Sequence, residues 1–499
     1  MFDRLRKTLL RKTVERELGE PDEESDTPLN RQGGHPKGAS AVVTHDGSDR
    51  QAEEQQLSGL TNVGKFGQIL GSIVLDCGVH QLPRSATTHP LHWAVRESQN
   101  AVLVKLLENE TWRWNTEGVA PGEKGERPLH VAAEVDNVEA SKILIRYGSN
   151  PHGRQLEYYG LQPVQVAASK GAIKVLTYLT NELVTFKGQR FISTTDLEGS
   201  TALHWAVLGG EIACVKHLLE QGAAVDFVQT KGPRATPLHF ACIEASLPIV
   251  QLMAEIRPIE FRKALAIPDI QGCTPLHRAV VLDRVDLVKY LLDKGAQLDL
   301  EDHQGRTPII LAAIREAWLT VDVLIDWGAN PFACNRIDLR HVGHHAAMVG
   351  SDPRPCRALN EMLKRHPEWK RNLDAVDSFG YTALQYAAGY GHVQAFHGLL
   401  AIGASITARS EKDKTVLHYA AKYGQLEMVK TLLESPAGIS ILNAMDHKGR
   451  SALHLAATYG HHEVAEFLLS KGAFCFPVRL FPVTVMTRLH KFGHFVLAR

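Results

Sequence analysis

The stretch Gly272-Cys-Thr-Pro-Leu-His-Arg-Ala279 decides the fold of this chain. A threonine followed by a proline is typical of a helix start. The threonine oxygen can accept a free helix amide, and proline loses nothing at the first helical position, where its missing N–H has no partner anyway. Helical spacing then places Leu276 on the apolar side. The stretch therefore predicts a helix that begins at Pro275 and buries Leu276.

The residues that follow predict a second helix and a turn. Val285-Asp-Leu-Val-Lys-Tyr-Leu-Leu292 has apolar residues at helical spacing, and Gly295 can end that helix in the left-handed conformation. Asp302 and Gly305 then favour a turn into the next segment. One such helix pair cannot cover its own apolar side, so copies of it must stack on one another.

The same pattern returns along the chain about every 36 residues on average. The marker position holds His92, His130, His204, His239, His277, His344, His418 and His454, and in three further units Gln165, Ile310 and Gln385. Ankyrin repeats have a period of 33 residues and the signature T-P-L-H-x-A, and modest insertions account for the longer spacing. The sequence predicts an all-α ankyrin-repeat solenoid of about eleven helix-turn-helix units over residues 88–473.

The flanking segments differ in composition from the repeats. Residues 1–20 predict a basic amphipathic helix, either a membrane-surface or partner helix or, as we favour, a solvated one. Residues 21–56 are rich in charged and small residues and predict a disordered linker. We expect a capping repeat at 57–87 and a non-repeat tail at 474–499.

Composition excludes several classes of protein. The chain has 55 basic and 55 acidic residues, so its net charge gives no general electrostatic attraction to nucleic acid or acidic membranes. No secretory leader and no uncharged run long enough to span a bilayer occurs. The seven cysteines stand singly, as in a reducing compartment. We expect a soluble, cytoplasmic chain.

No pattern in the sequence predicts a catalytic, cofactor or metal site. The stretch from Gly59 to Phe66 approaches a phosphate-binding loop but has Phe66 where a magnesium-binding hydroxyl belongs. His462 and Glu463 match the start of a zinc-protease motif, but Glu466 stands where the motif needs its second histidine. The marker histidines lie one per unit, so we expect them to form structural hydrogen bonds between neighbouring repeats.

Binding to proteins is the expectation that remains. Cys214, Cys242 and Cys273 fit buried structural thiols better than reactive ones, since no cluster of basic residues adjoins them. Charged hairpin tips such as Glu411-Lys-Asp-Lys414 should line the concave side of a solenoid and contact a protein partner. We predict no enzyme activity.

The order of the irregular units resembles the transient receptor potential ankyrin (TRPA) cation channels. Gly305-Arg-Thr-Pro-Ile-Ile-Leu-Ala312 with Trp318 is similar to the family's atypical repeat, in which the histidine is lost. A degenerate unit around His344, which lacks Thr-Pro, comes next. Lys412-Asp-Lys-Thr-Val-Leu-His-Tyr-Ala-Ala-Lys-Tyr-Gly424 is similar to the family's K-D-K-x-x-L-H-[FY]-A-A-x-Y-G. The likeness covers residues 88–473.

The resemblance implies the cytosolic ankyrin domain of a tetrameric, calcium-permeable channel subunit at the plasma membrane, here without the pore. Some family members have cysteines seven residues apart in the ninth repeat, where this chain has Tyr381 and Ala388. The loss of pattern at Phe474 suggests a truncated or spliced product, which we expect to pack against full-length subunits. The alternative is a soluble ankyrin-repeat scaffold or adaptor.

Overall fold

The computed structural model describes residues 72–73, 77, 89–109, 116–119, 125–156, 158–183, 185–186, 189–350 and 354–474. All of these belong to one compact unit of the chain, residues 66–499. The predicted helix at 1–20, the linker at 21–56, most of the capping repeat at 57–87 and all of the tail but Phe474 lie outside the described residues.

Eleven helix pairs follow one another in the described part of the chain, and they are called units 1 to 11 here. The first helices are Pro90–Arg96, Pro128–Glu134, Pro163–Lys170, Ala202–Gly209, Pro237–Ile243, Pro275–Val280, Pro308–Ile314, Val342–Val349, Ala383–Tyr390, Val416–Lys422 and Ala452–Tyr459. The second helices are Asn100–Glu108, Val138–Arg146, Ile173–Thr177, Ile212–Glu220, Leu247–Ile256, Val285–Asp293, Trp318–Asp326, Arg354–Arg365, Val393–Ile402, Leu426–Leu433 and His462–Ser470.

Short insertions between units lengthen the repeat beyond the usual period. A π-helical turn, Tyr178–Glu182, extends the second helix of unit 3, and an antiparallel hairpin pairs Thr185–Phe186 with Gln189–Arg190. Additional helical segments are Tyr158–Gly160, Phe191–Ser193, Pro258–Ala264, Pro367–Asn372 and Pro436–Ser440. The two strands of the hairpin are the only strands in the described residues. The all-α prediction is therefore confirmed for the described part of the chain, with this hairpin as a local exception.

Unit 6 shows why the repeat motif folds as it does. Its first helix begins at Pro275, and Leu276 is buried, as predicted. Gly295 has φ +94°, in the left-handed region, one residue after the C-cap Lys294. The side chains of Thr274 and His277 form a capping box at this helix start, and the hydroxyl of Thr274 also lies 2.9 Å from Nδ1 of His277.

Unit 8 retains both helices although it lacks the Thr-Pro start. His341 takes the N-cap position, and its Nδ1 accepts the N–H of Gly343 at 3.0 Å. The second helix, Arg354–Arg365, has twelve residues, longer than the second helices of the other described units. The unit is degenerate in sequence but keeps the helix pair.

The core runs through the whole stack, between the two helices of each unit and between neighbouring units. At its N-terminal end, Leu103 and Leu106 of unit 1 lie in one buried cluster with Leu144 of unit 2. Ile73 and Cys77 pack against this cluster from the segment that precedes unit 1. Each unit therefore depends on its neighbours to keep apolar area from water.

Candidate interaction surface

A buried aspartate organises five of the turns between units. In the turn before unit 7, Oδ1 of Asp302 accepts the N–H groups of Gln304 and Arg306, each at 2.9 Å. Gly305 completes the turn with φ +72°, which glycine adopts without strain. The equivalent aspartates are Asp196, Asp269, Asp377 and Asp446. These turns are fixed from within by satisfied hydrogen bonds.

The second carboxylate oxygen of three of these aspartates ties the turn to the helix that follows it. The pairs are Trp205 Nε1 donating to Asp196 (2.8 Å), Arg278 Nε donating to Asp269 (2.8 Å) and Tyr386 Oη donating to Asp377 (2.6 Å). Burial raises the pKa of Asp196 and also that of Tyr386. The helix side chains next to the turns are thereby held in one orientation.

Backbone hydrogen bonds join each turn to the next. The N–H to carbonyl pairs are Leu197 to Tyr159 (3.0 Å), Lys231 to Glu198 (3.0 Å), Ile270 to Pro233 (2.9 Å), His303 to Gln271 (3.0 Å), Arg336 to Gln304 (2.9 Å), Ser378 to Asp338 (2.8 Å), Glu411 to Gly380 (3.3 Å) and His447 to Lys412 (3.1 Å). The turns therefore form one continuous row, called the turn row here. A partner could span several units along it.

Three tyrosines occupy the same position at the ends of consecutive first helices. Tyr390, Tyr423 and Tyr459 are 38%, 37% and 47% exposed, and together they are called the tyrosine row. Nζ of Lys422 lies 4.9 Å from the ring centroid of Tyr423 and 5.6 Å from that of Tyr459. Tyrosine is enriched at protein interfaces, and the ammonium of Lys422 adds a cation–π contact to two of these rings. The recurring Ala-Ala-x-Tyr-Gly was a visible signal for this row, which sequence reasoning missed.

The predicted contact residues Glu411 to Lys414 divide into two groups. Glu411, Lys412 and Asp413 are exposed on the turn row, as expected. Lys414 is buried, and its Nζ lies 5.8 Å from the ring centroid of Tyr419. Lys414 therefore supports the helix beneath the turn and is unsuited to contact a partner directly.

The marker histidines form the predicted hydrogen bonds between units. In unit 6, Nδ1 of His277 accepts the N–H of Thr274 at 3.1 Å, and Nε2 donates to the carbonyl of Arg306 at 3.0 Å. The same two bonds form in unit 10, where Nε2 of His418 donates to Arg450 at 3.0 Å. This pattern requires a neutral ring protonated at Nε2.

Glutamine reproduces the histidine pattern in units 3 and 9. Oε1 of Gln385 accepts the N–H of Thr382 at 3.0 Å, and its Nε2 donates to the carbonyl of Lys414 at 3.1 Å. Gln165 does the same, with Nε2 donating to Ser200 at 3.1 Å. An amide supplies one acceptor and one donor at about the same separation as the ring, so the junction is preserved.

Burial keeps these histidines neutral. It lowers the pKa of His239 and His418 to about 4 and that of His204 to about 3. Since each ring is held by both nitrogens, none of these three is free to bind a metal or carry a proton. Their role is structural.

The cysteines considered as reactive thiols are buried. Cys214, Cys242 and Cys273 are all inaccessible to solvent, as predicted. Burial raises the pKa of Cys214 and of Cys273 to about 12, and that of Cys242 further. A thiol with a raised pKa supplies little thiolate near neutral pH.

The other patterns considered from sequence lead to no assembled site. The stretch from Gly59 to Phe66 lies outside the described residues. His462 and Glu463 begin the second helix of unit 11. Within the described ranges, no group of three or more histidine, cysteine, aspartate or glutamate side chains is arranged to hold a metal ion. Nor does any described helix have the length and apolar character needed to cross a bilayer.

Comparison with protein families identifies the class. The profile described as "Ankyrin repeats (3 copies)" matches residues 91–191, 180–262, 259–335, 342–441 and 408–477. The chain belongs to the ankyrin-repeat family, and the predicted fold class is confirmed.

Relatives among known proteins confirm the resemblance to TRPA channels. The chain is 34% identical over 328 residues to the transient receptor potential cation channel subfamily A member 1 of Drosophila melanogaster, covering 65% of this chain and 27% of that protein. It is 32% identical over 390 residues to the human protein of the same name, covering 77% of this chain and 33% of that protein. The chain thus spans about a third or less of these relatives.

Ankyrin-repeat proteins that are not named as channels also match this chain. The ankyrin repeat protein nuc-2 of Neurospora crassa is 28% identical over 241 residues, covering 48% of this chain and 21% of that protein.

Proposed function

We propose that this chain is the cytosolic ankyrin domain of a TRPA-type, calcium-permeable cation channel subunit, located at the cytosolic side of the plasma membrane. The observation that carries the proposal is the extent of the match to two channel subunits, 65% and 77% of this chain. The unit with Ile310 and Trp318, followed by a degenerate unit and the Lys412–Gly424 motif, adds family-specific order to that match.

The domain would act by binding proteins and would catalyse no reaction. The turn row offers a long, internally fixed backbone, and the tyrosine row offers large rings that lose little side-chain entropy on contact. Both arise from first helices and the turns between units, so a partner that lies along several units can contact both. This is the geometry that repeat proteins use for extended binding surfaces. The partners would be full-length subunits of the same channel type.

Co-expression with a full-length TRPA-type subunit from the same source tests the proposal. We expect the chain to co-purify with that subunit and to alter its abundance or currents, and to conduct nothing when expressed alone. Changing Tyr423 and Tyr459 together to Ser should weaken co-purification. The matched control is Ile259→Ser, a 73% exposed residue on the inserted helix Pro258–Ala264, which should leave it unchanged.

The alternative function is a free-standing ankyrin scaffold, which the match to the nuc-2 protein favours. In that case the chain would show no association with the channel subunit and would leave its currents unchanged. Cation currents from this chain alone would contradict both functions.

A further inference from the structure

Nine of the ten junctions between the described units carry the same polar contact. The marker side chain of one unit donates a hydrogen bond to the carbonyl of the residue just before the N-cap of the next unit. The pairs are His92–Glu126, His130–Leu161, Gln165–Ser200, His204–Ala235, His239–Cys273, His277–Arg306, His344–Tyr381, Gln385–Lys414 and His418–Arg450, at 2.9–3.3 Å. We call this hydrogen bond the junction bond.

The junction between units 7 and 8 has no junction bond. Its marker position holds Ile310, which is fully buried and has no polar side-chain atom. Oγ1 of Thr307, the N-cap of the same helix, is buried without a hydrogen-bond partner in the described structure. In unit 6 the equivalent Thr274 hydroxyl meets the marker histidine at 2.9 Å. One substitution therefore removes the junction bond and leaves a second polar group unsatisfied.

More unsatisfied polar atoms lie in units 7 and 8. Nε of Arg315, Oγ1 of Thr320, Nε2 of His341 and Nε2 of His345 are buried without a partner among the described residues. A buried polar group that loses its partner retains the cost of leaving water, which is larger than the net gain of an average hydrogen bond. These atoms add a cost to the two units that form this junction.

The turn row and an exposed ion pair remain at this junction, and neither supplies a buried side-chain hydrogen bond between the first helices. The turn row continues across it, with Arg336 N–H donating to Gln304 at 2.9 Å, as at its neighbours. The second helices are joined by an ion pair of Arg365 and Asp326 at 3.3 Å, both more than half exposed. An exposed ion pair is screened by water and stabilises little.

We propose that the junction between units 7 and 8 is the weakest in the described solenoid, and that the chain yields there first, with units 1–7 and units 8–11 behaving as two cooperative blocks. In a repeat protein, stability is the sum of unit terms and nearest-neighbour terms, so one weak interface is enough to divide it. Because the junction bond lies between the first helices, the first helices of units 7 and 8 separate more readily than the second helices. The inference is independent of whether the chain belongs to a channel.

A matched pair of variants tests the proposal. Ile310→Gln supplies the amide that Gln165 and Gln385 already use, with an acceptor for the Thr307 N–H and a donor for the Arg340 carbonyl. Gln385→Ile makes the reverse change at the junction between units 9 and 10. Each variant is measured by urea unfolding and by amide hydrogen exchange resolved to single helices.

For the unmodified chain we expect two unfolding transitions. Amide exchange should be about tenfold faster in Pro308–Ile314 and Val342–Val349 than in Pro275–Val280. A tenfold factor corresponds to the loss of one hydrogen bond whose net contribution to stability is at the upper end of the usual range. Ile310→Gln should slow that exchange and bring the transitions together. Gln385→Ile should speed exchange in Ala383–Tyr390.

Two results would overturn the proposal. One is uniform exchange across units 6 to 9 with a single unfolding transition in the unmodified chain, a measurement that needs no variant to fold. The other is a pair of outcomes in which Ile310→Gln leaves exchange in units 7 and 8 unchanged or faster while Gln385→Ile speeds exchange in unit 9. In that case the missing junction bond would not be the cause of fast exchange in units 7 and 8.

Discussion

Nε2 of His277 in unit 6 donates a 3.0 Å hydrogen bond to the carbonyl of Arg306, the residue before unit 7 begins. The two residues are 29 positions apart, and both are buried. The other nitrogen of the ring accepts the N–H of Thr274 at 3.1 Å. One side chain thus closes the start of its own helix and binds the next unit, which makes the marker position a recurring polar link of the stack.

His277 can be replaced by a residue that keeps both bonds or by one that keeps neither. His277→Gln should cost less than about 1 kcal/mol, since an amide offers the same donor and acceptor. His277→Leu should cost about 1–3 kcal/mol, because it leaves the buried Thr274 hydroxyl and Arg306 carbonyl unsatisfied. Urea unfolding followed by far-ultraviolet circular dichroism measures both. Equal losses for the two variants would show that packing alone decides the position.

Stability should fall as the pH falls from about 6.5 toward 4. Burial lowers the pKa of His239 and of His418 to about 4 from the ordinary 6.5. Above pH 6.5 both rings are neutral in the folded and unfolded chain, so they add no pH dependence. Between pH 6.5 and 4 these histidines are protonated in the unfolded chain and neutral in the folded chain. Each one therefore lowers the free energy of unfolding by up to about 1.4 kcal/mol per pH unit. Below about pH 4 the histidines are protonated in both states, and their effect on the free energy of unfolding changes no further.

Unfolding free energies at pH 7.5, 5.5 and 4.5 test this dependence. The double variant His239→Gln with His418→Gln serves as the control and should lose less stability between pH 6.5 and 4. An unchanged free energy of unfolding across that range would mean that the histidines titrate freely in the folded chain.

Leu276 should matter far more than an exposed aliphatic residue of similar size. It is 1% exposed and lies in the first helix of unit 6. Leu276→Ala should cost about 2–5 kcal/mol, because it removes buried methyl groups and leaves a cavity. Ile259→Ala, at a 73% exposed position, should change stability by less than about 0.5 kcal/mol. A loss below that limit for Leu276→Ala would place Leu276 outside the core.

Cys242 should resist alkylation until the chain unfolds. Its side chain is fully buried in the first helix of unit 5, and burial raises its pKa. Iodoacetamide at pH 8, read out by peptide mass spectrometry, should modify Cys242 much more slowly than the half-buried Cys334. Both should react alike in urea. Rapid labelling of Cys242 in the native chain would show that unit 5 opens readily.

Local sequence signals predicted each unit because the interactions involved are local. Pro275 begins a helix, Gly295 follows one in the left-handed conformation, and Asp302 closes a turn through amides two and four residues ahead. None of these features depends on a distant residue. The recurrence of such signals also predicted the number of units, including units 3 and 9, where glutamine replaces histidine.

The sequence predicted that the marker histidines bond neighbouring units, but the partner of each contact could be seen only in the tertiary structure. The pairing of Gln385 with Lys414 joins residues 29 positions apart, and the burial of Lys414 against Tyr419 depends on how unit 10 packs. The sequence marked Ile310 as irregular without showing what the irregularity removes. Stacking decides which buried polar atoms find a partner, because in a solenoid that partner belongs to the neighbouring unit. The sequence by itself thus determined the repeat and its local helix and turn signals, and only the tertiary structure decided how firmly each unit is held to the next.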